Sequence, residues 1–240
     1  MAAGIDVVFH VSCIIPAFNA ERYLAAALDS ALAQTRPPDQ IVVVDDGSTD
    51  ATAAVAAGYG ARVVLLRQAN AGPAAARNRG IAASAGDVLA FLDADDTWEP
   101  RKLELQLERL QQRPDLDYCV TMLRNFVSEE LEDRRVRDPR LLEPIAGFSL
   151  TTLVVRRGAM ERIGTFNEKL EHSDDTDWVL RASEAGAVHE LLPHVLARRR
   201  LHDGNRSQHF GSQSRSEYLH LVKAALDRRR RGAGAGGSST

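Results

Sequence analysis

Four short apolar runs near the start of the chain constrain its fold more than any other feature. VSCIIP (11–16), IVVVD (41–45), ARVVLL (61–66) and DVLAFL (87–92) lack the apolar–polar alternation of a strand with one wet face. Runs of this length and content read as strands covered on both faces. Helical spacing fills the intervals. Leu24, Ala27, Leu28, Ala31 and Leu32 recur on one face before Pro37-Pro38 ends the helix. Ser48-Thr49-Asp50 offers an N-cap to an Ala-rich segment, and a third helix is expected over 73–84. Strands and helices alternating at these lengths predict a three-layer, Rossmann-like α/β sandwich around a mostly parallel sheet with right-handed crossovers. Such sheets bind ligands at the carboxyl ends of their strands. Asp45-Asp46 and Asp93–Asp96 both fall there, so two acidic clusters share one rim.

The remainder is less regular. A helix is expected over 98–111, with Leu103, Leu107 and Leu110 on one face, then a strand over 118–127. Residues 128–144 are charged and read as an exposed loop. A strand over 149–155, a short helix ending near Gly164 and a helix over 173–185 follow.

Composition narrows the function. A net charge of −3 provides no electropositive field for nucleic acid. Cys13 and Cys119 are isolated, which suits a reducing cytoplasm rather than a disulfide framework. No apolar run approaches the roughly 20 residues of a membrane span, and MAAGIDVVFH lacks the basic segment of a secretory leader. A soluble, cytoplasmic protein is expected.

The carboxylates carry the chemistry. Asp93 and Asp95, one residue apart at a strand end, can converge on a hard cation. Mg²⁺ takes few protein carboxylates and completes its shell with phosphate oxygens and water, and Mn²⁺ accepts the same donors. The competing reading makes Asp95, Asp96 and Thr97 caps of the next helix. A second acidic group, Ser173-Asp174-Asp175-Thr176-Asp177, also reads two ways, as a decorated helix start or as a catalytic cluster.

Taken together, VSCIIPAFNAERYLAAALDSALAQT (11–35), IVVVDDGSTD (41–50), NAGPAAARNRGIAASAGDVLAFLDADD (70–96) and SDDTDWVLRASEAG (173–186) resemble the family-2 glycosyltransferases of the GT-A fold, in the family's order. The resemblance implies an inverting, metal-dependent transfer of a sugar from a nucleotide-diphosphate donor, UDP-linked by expectation, to an acceptor hydroxyl. It makes 1–97 the donor-binding half of one domain, 98–227 the acceptor half, and 228–240 a flexible basic tail. Asp45 would accept from the base's imide N–H, while the backbone of Pro16, Ala17 and Phe18 packs against the base. Arg77 would lie near the diphosphate, where a guanidinium suits phosphate oxygens. Asp93-Ala94-Asp95 resembles the DXD motif, with Asp95 binding Mn²⁺ or Mg²⁺ and Asp93 reaching ribose or the metal through water. Asp175 would be the general base, its carboxylate kept ionised by the helix dipole. His202 would complete the metal shell or touch the diphosphate. The Arg198–Arg200 run would steer the donor or simply face solvent.

Other residues receive ordinary roles. Asn19 is expected to cap a helix, Asp46 and Gly47 to serve a turn, Arg79 to face solvent and Asp177 to pair locally. Trp178 either lines the acceptor site or packs, and Asn78 stays open. Asp96 is a metal ligand, a partner of Arg77 or a cap. His172, His189, His194 and His209 receive no role. Two alternatives compete with the family reading. DADDT at 93–97 also fits the DxDxT pattern of haloacid-dehalogenase-like Mg²⁺ phosphatases with Asp93 as nucleophile, although three strand–helix units precede it here. The other is a nucleotide-sugar-binding protein without turnover. A sugar nucleotidyltransferase would need a Gly-rich opening loop, which VSCIIPAFNAE lacks.

Overall fold

The computed structural model describes residues 8–128, 139–146, 149–205 and 216–227. Four strands form where the apolar runs lie: β1 (Val11–Ala17), β2 (Gln40–Asp45), β3 (Val64–Arg67) and β4 (Val88–Phe91). All pairings among them are parallel, in the order β3-β2-β1-β4. β1 therefore has the next strand on one side and a later strand on the other, which opens a crevice at its carboxyl end. Ile41 to Asp45 and Val88 to Phe91 are buried throughout, whereas β3 is half-exposed because it forms the sheet edge.

Alternate side chains of these strands feed two cores. Ile15, Val43 and Ala90 pack with α1 (Leu24–Leu32), α2 (Thr52–Ala57) and α4 (Lys102–Gln112) through Leu28, Ala31, Ala56 and Leu103. Ile14, Leu89 and Phe91 pack on the other face with α3 (Pro73–Ala82), α5 (Arg157–Ile163) and α6 (Asp174–Glu184) through Ala74, Ile81, Met160 and Trp178. The three expected layers are present. A Cβ on Gly80 would lie 2.5 Å from Ile14 Cγ2, so glycine is what lets α3 lie this close to β1.

Beyond β4 the sheet becomes mixed. β8 (Val154–Arg156) is antiparallel to β4, β6 (Tyr118–Val127) is antiparallel to β8, and β9 (His189–Leu201) is parallel to β6. Two-residue strands β5 (Thr97–Trp98) and β7 (Pro144–Ile145) flank β9 and β6. One sheet runs through both halves of the chain.

Several local expectations are corrected. The helix over 98–111 starts only at Lys102, because Trp98 pairs with Ala197 in β5 and Pro100 follows it. The segment 149–155 divides into a 3₁₀ turn (Leu150–Thr152) and β8. Asn19 caps no helix; at φ 48° its Oδ1 accepts from Thr49 N, and its own N–H donates to Ser48 Oγ. The N-cap position of α2 is Ala51, and Asp50 reaches past it to accept from Thr52 N at 2.9 Å. β9 was not anticipated, since Pro193, His194 and three consecutive arginines hide its pattern. Most of the charged segment 128–144, His209 and the tail 228–240 lie outside the described residues. A further helix, α7, spans 216–227. Among the described residues no helix is long and apolar enough to cross a membrane.

Lys102 opens α4 fully buried. Its Nζ sits 4.2 Å from the Trp98 ring centroid and has no hydrogen-bond partner. Burial pushes its pKa down to about 7, against a smaller upward pull from Cys119 and Cys13.

Candidate active site

The carboxyl ends of β1 and β2 build one wall of the crevice. Ala17 pairs with Asp45 in register, Pro16 with Val44, and Asp46 N–H donates to Ala17 O. Phe18 projects from this rim half-exposed. Asp45 is fully buried; its Oδ1 accepts from Ser48 N at 3.0 Å and its Oδ2 from Arg67 Nε at 3.2 Å. Asp46 is more than a turn residue. Its Oδ1 accepts from Ala71 N and Gln68 Nε2, and its Oδ2 from Gly72 N, which ties the β2 end to the start of α3. Gly47 has φ +79°, and a Cβ there would lie 2.7 Å from Asn70 N.

Arg77 joins the two acidic segments. It is buried on α3, with Nη1 donating to Asp174 Oδ2 at 2.7 Å and Nη2 to Asp93 Oδ1 at 2.8 Å. Its Cζ lies 5.9 Å from the Phe166 ring centroid. Burial opposes the charge, but Asp93 and Asp174 outweigh it and hold the guanidinium protonated beyond its ordinary range. Sequence reading directed Arg77 to donor phosphates; here both terminal nitrogens bind carboxylates. Its neighbour Asn78 bonds the backbone of Phe166 through both amide atoms and Glu168 through Nδ2, and Arg79 is exposed as expected.

Asp96 neither caps α4, whose N-cap position is Arg101, nor pairs with Arg77. It is buried, accepting from Thr151 Oγ1 at 2.9 Å and from Arg200 N at 3.0 Å. Burial, then the charges of Asp95 and Asp93, raise its carboxyl well above the ordinary range despite those two donors.

Asp93 and Asp95 keep about a third of their side chains exposed. Asp95 Oδ2 lies 3.0 Å from His202 Nε2 and 3.4 Å from Asn205 Nδ2. His202 Nδ1 accepts from Gly204 N, and its ring leans on Tyr23 at 4.6 Å. Arg200 completes this corner, donating from Nε to Asp95 O and lying 4.9 Å above Tyr23. Among the described residues no three His, Cys, Asp or Glu side chains form a ready-made metal cage. The donor set nevertheless fits a hard cation that relies on substrate oxygens. Both Asp95 contacts fall on Oδ2, and one carboxylate completed by phosphate oxygens and water is the sparse protein contribution that Mg²⁺ or Mn²⁺ chemistry uses; with Nδ1 accepting from Gly204 N, His202 carries its proton on Nε2 and would ligate only once that proton moves to Nδ1.

Across Arg77, α6 starts at Asp174. Asp175 Oδ1 accepts from Thr176 N. Burial and then the Asp174 charge raise its pKa to about 6, with Thr176 and Arg77 pulling the other way. Burial and Asp174 thus work against the ionised form expected at this helix start, and a pKa of about 6 still leaves the group mostly ionised at pH 7. Asp177 pairs locally with Arg181 at 2.8 Å, and Arg181 also donates to the carbonyls of Ile163, Gly164 and Thr165. Trp178 packs: it is fully buried against Tyr118, with Nε1 donating to Gly164 O. The turn before Ser173 is held by Glu217 of α7, whose carboxylate accepts from Glu171 N and His172 N at 3.1 and 3.0 Å. Arg200, expected with its run to steer the donor or face solvent, instead donates to Asp96 and to the backbone of Asp95; Thr151, Asn205 and Glu217 escaped sequence reading because each acts through contacts distant in the chain. Only Asn205 carried a signal, its closeness to His202.

The profile described as glycosyl transferase family 2 matches residues 12–167. An uncharacterized glycosyltransferase of Rickettsia typhi is 35% identical over 210 residues, covering 80% of this chain and 64% of that protein. One from Nostoc sp. is 45% identical over 169 residues, covering 64% of this chain and 52% of its own. Chondroitin synthase of Pasteurella multocida is 29% identical over 92% of this chain but only 23% of that protein. The chain thus spans less than two thirds of these relatives. Among solved structures, S. aureus TarS 1–349 in complex with UDP-GlcNAc superposes with a TM-score of 0.71 at 19% identity, over 90% of this chain and 65% of that one. The fold is the expected GT-A sandwich, with its sheet mixed beyond β4.

Proposed function

Because the chain belongs to glycosyl transferase family 2, we propose that it transfers a sugar from a UDP-linked donor to an acceptor hydroxyl with inversion, with Asp175 as the base. Membership in the family displaces the phosphatase alternative. The observation that carries the reading is the Arg77 bridge. One guanidinium draws Asp93 of the donor-side motif and Asp174 of the base segment to within a single side chain of each other, although 81 residues separate them.

The roles are those the resemblance implies, adjusted to the contacts seen here. The rim of Pro16, Ala17 and Phe18 packs against the base, and Asp45 recognises its imide N–H. Arg67 now occupies Asp45 Oδ2, but it is 66% exposed. A guanidinium that exposed can swing into solvent, provided the base takes over the hydrogen bond to the buried Asp45 oxygen. Asp95 and His202 would hold Mn²⁺ or Mg²⁺, with Asp93 reaching the cation or ribose. When bound, such a cation supplies the charge that stabilises the departing diphosphate. Arg77 positions both carboxylate segments instead of touching phosphate. Asp175 Oδ2 then takes the acceptor hydroxyl proton as that oxygen attacks the anomeric carbon from the face opposite the diphosphate. A base with a pKa near 6 works well, being ionised at pH 7 yet close enough to working pH to accept the proton effectively. TarS crystallised with UDP-GlcNAc supports a UDP-sugar donor. The acceptor is a hydroxyl compound reached from the side of 98–227. A reducing, cytoplasmic setting suits the two free cysteines.

The test is Asp175→Asn with donor binding and turnover measured separately. Calorimetry of UDP-sugar with Mn²⁺ should match wild type, while transfer falls by about two to four orders of magnitude. In the wild type, the ionised base is lost as pH falls through about 6, so kcat should drop on that side. Wild-type turnover in the variant, or an acid limb unchanged by it, refutes Asp175 as base. Donor binding without turnover in the wild type itself would favour the non-catalytic alternative.

A further inference from the structure

We propose that Thr151, which lies outside every acidic segment, is a positioning residue that presets the Asp93–Asp96 loop for the cation-bound diphosphate; this rests on the reading above. Thr151 is buried in the 3₁₀ turn (Leu150–Thr152) that leads into β8. Its hydroxyl performs two tasks at once. Oγ1 accepts from Asp93 N at 3.3 Å and donates to Asp96 Oδ2 at 2.9 Å. Those contacts span the loop from its first residue to its last and leave Asp95 between them. The Thr151 carbonyl accepts from Trp98 Nε1 at 2.9 Å, so Trp98, two residues past the loop, is tied to the same point.

The turn itself cannot readily yield. Thr152 Oγ1 donates to Ser149 O, and Gln106 Nε2 donates to Thr152 O at 2.9 Å from the middle of α4. From the opposite side Arg200 N donates to Asp96 Oδ1, and Arg200 Nε donates to Asp95 O. Asp95 is therefore aimed by its two flanking residues, and neither flank is free to rotate. Loops that present cation ligands need such support, because groups behind the ligands set their orientation. Thr151 is the point where the loop meets a part of the fold far from it in sequence. A serine there keeps both hydrogen bonds, whereas a valine keeps the shape and loses both.

The experiment is calorimetry of UDP binding to the full chain, with and without Mn²⁺. In Thr151→Val the Mn²⁺-dependent affinity should fall about 10–100-fold, as removal of groups behind a ligand does, while metal-free UDP affinity stays within about twofold. Thr151→Ser should restore the Mn²⁺-dependent value, which a role limited to filling space would not require. Asp95→Ala is the control and should abolish the metal-dependent gain. Unchanged affinity in Thr151→Val alongside a loss in Asp95→Ala overturns the positioning role alone. Unchanged affinity in both overturns the cation reading of Asp95 and the proposal with it. If Thr151→Val does not fold, Trp98→Phe removes the indole N–H and keeps a ring in the core. A weakened Mn²⁺-dependent affinity there supports the role of this turn, and a wild-type value overturns it.

Discussion

Arg77→Met tests whether the bridge holds the site together or reaches substrate. Methionine keeps much of the buried volume and removes the cation from two carboxylates. They do not suffer equally. Asp174 has 8% of its side chain exposed and Asp93 32%. Deleting one partner of a buried ion pair costs about 3–5 kcal/mol because the other charge is left desolvated; most of that falls on Asp174. Asp93 can regain water, and its share is discounted to below about 1 kcal/mol. Loss of the cation beside Phe166 adds about 0.5–2 kcal/mol. A net loss of about 4 kcal/mol is a large fraction of the roughly 5–15 kcal/mol that stabilises a domain. Urea denaturation followed by circular dichroism should show it as a lower midpoint at unchanged slope. Asp174→Asn in the same chain removes the stranded charge and should recover about 1–3 kcal/mol, a coupling expected of groups in direct contact. If Arg77 instead served donor phosphates, no such rescue would occur and the cost would appear in donor affinity. A loss below about 1 kcal/mol, or a double variant no more stable than Arg77→Met, refutes the bridge.

Lys102→Met removes a buried, unbonded ammonium. In the wild type its pKa of about 7 lies below the unfolded value, so the unfolded chain binds the extra proton and stability rises with pH above about 7. Between pH 7 and 8.5 that rise approaches about 1.4 kcal/mol per pH unit; urea midpoints should show it in the wild type and lose it in the variant, and equal slopes in both would refute it. Gly47→Ala places a Cβ 2.7 Å from Asn70 N at φ +79°. The strain should cost about 1–3 kcal/mol in thermal unfolding and weaken UDP binding by displacing Asp45, so a change under about 0.5 kcal/mol would show the turn to be pliant.

How far the sequence could be read depended on the range of the interactions. β1, β2 and β4 were readable because strands covered on both faces are apolar throughout, as Ile41–Val44 and Val88–Leu92 are. β9 was hidden because only some of its positions face a core, and a proline and three arginines occupy others. The start of α4 was misplaced because Trp98 looks like the first apolar residue of a helix, whereas cross-strand pairing with Ala197 claims it. Site residues followed the same rule. Asp93, Asp95 and Asp175 stood out through local clustering. The partners that decide their roles lie far away, 97 residues separating Arg77 from Asp174 and 104 separating Asp96 from Arg200. No local pattern could have allotted Asp96 to Thr151.

Those long-range partners also separate the structural carboxylates from the chemical ones. Asp46 and Asp96 are buried with both oxygens engaged by protein donors, so each carboxylate is committed to holding a loop in place. Asp93, Asp95 and Asp175 make their contacts through one oxygen each: to Arg77, to His202 and Asn205, and to Thr176. An ionised carboxylate has about four acceptor positions, so each of these retains capacity for a cation or a hydroxyl proton. Asp45 falls between the classes. Both its oxygens are engaged, yet one is held only by the exposed Arg67 and the other by a turn N–H. On the proposed reading, that asymmetry makes Arg67 the side chain a nucleotide base would move. Arg67→Ala leaves an oxygen of the fully buried Asp45 without its donor, so it should cost about 1–3 kcal/mol in the free protein and preserve or strengthen UDP affinity, because the base then satisfies that oxygen. A weakened affinity would mean that Arg67 binds the donor directly, and that Asp45 orients this arginine instead of reading the base.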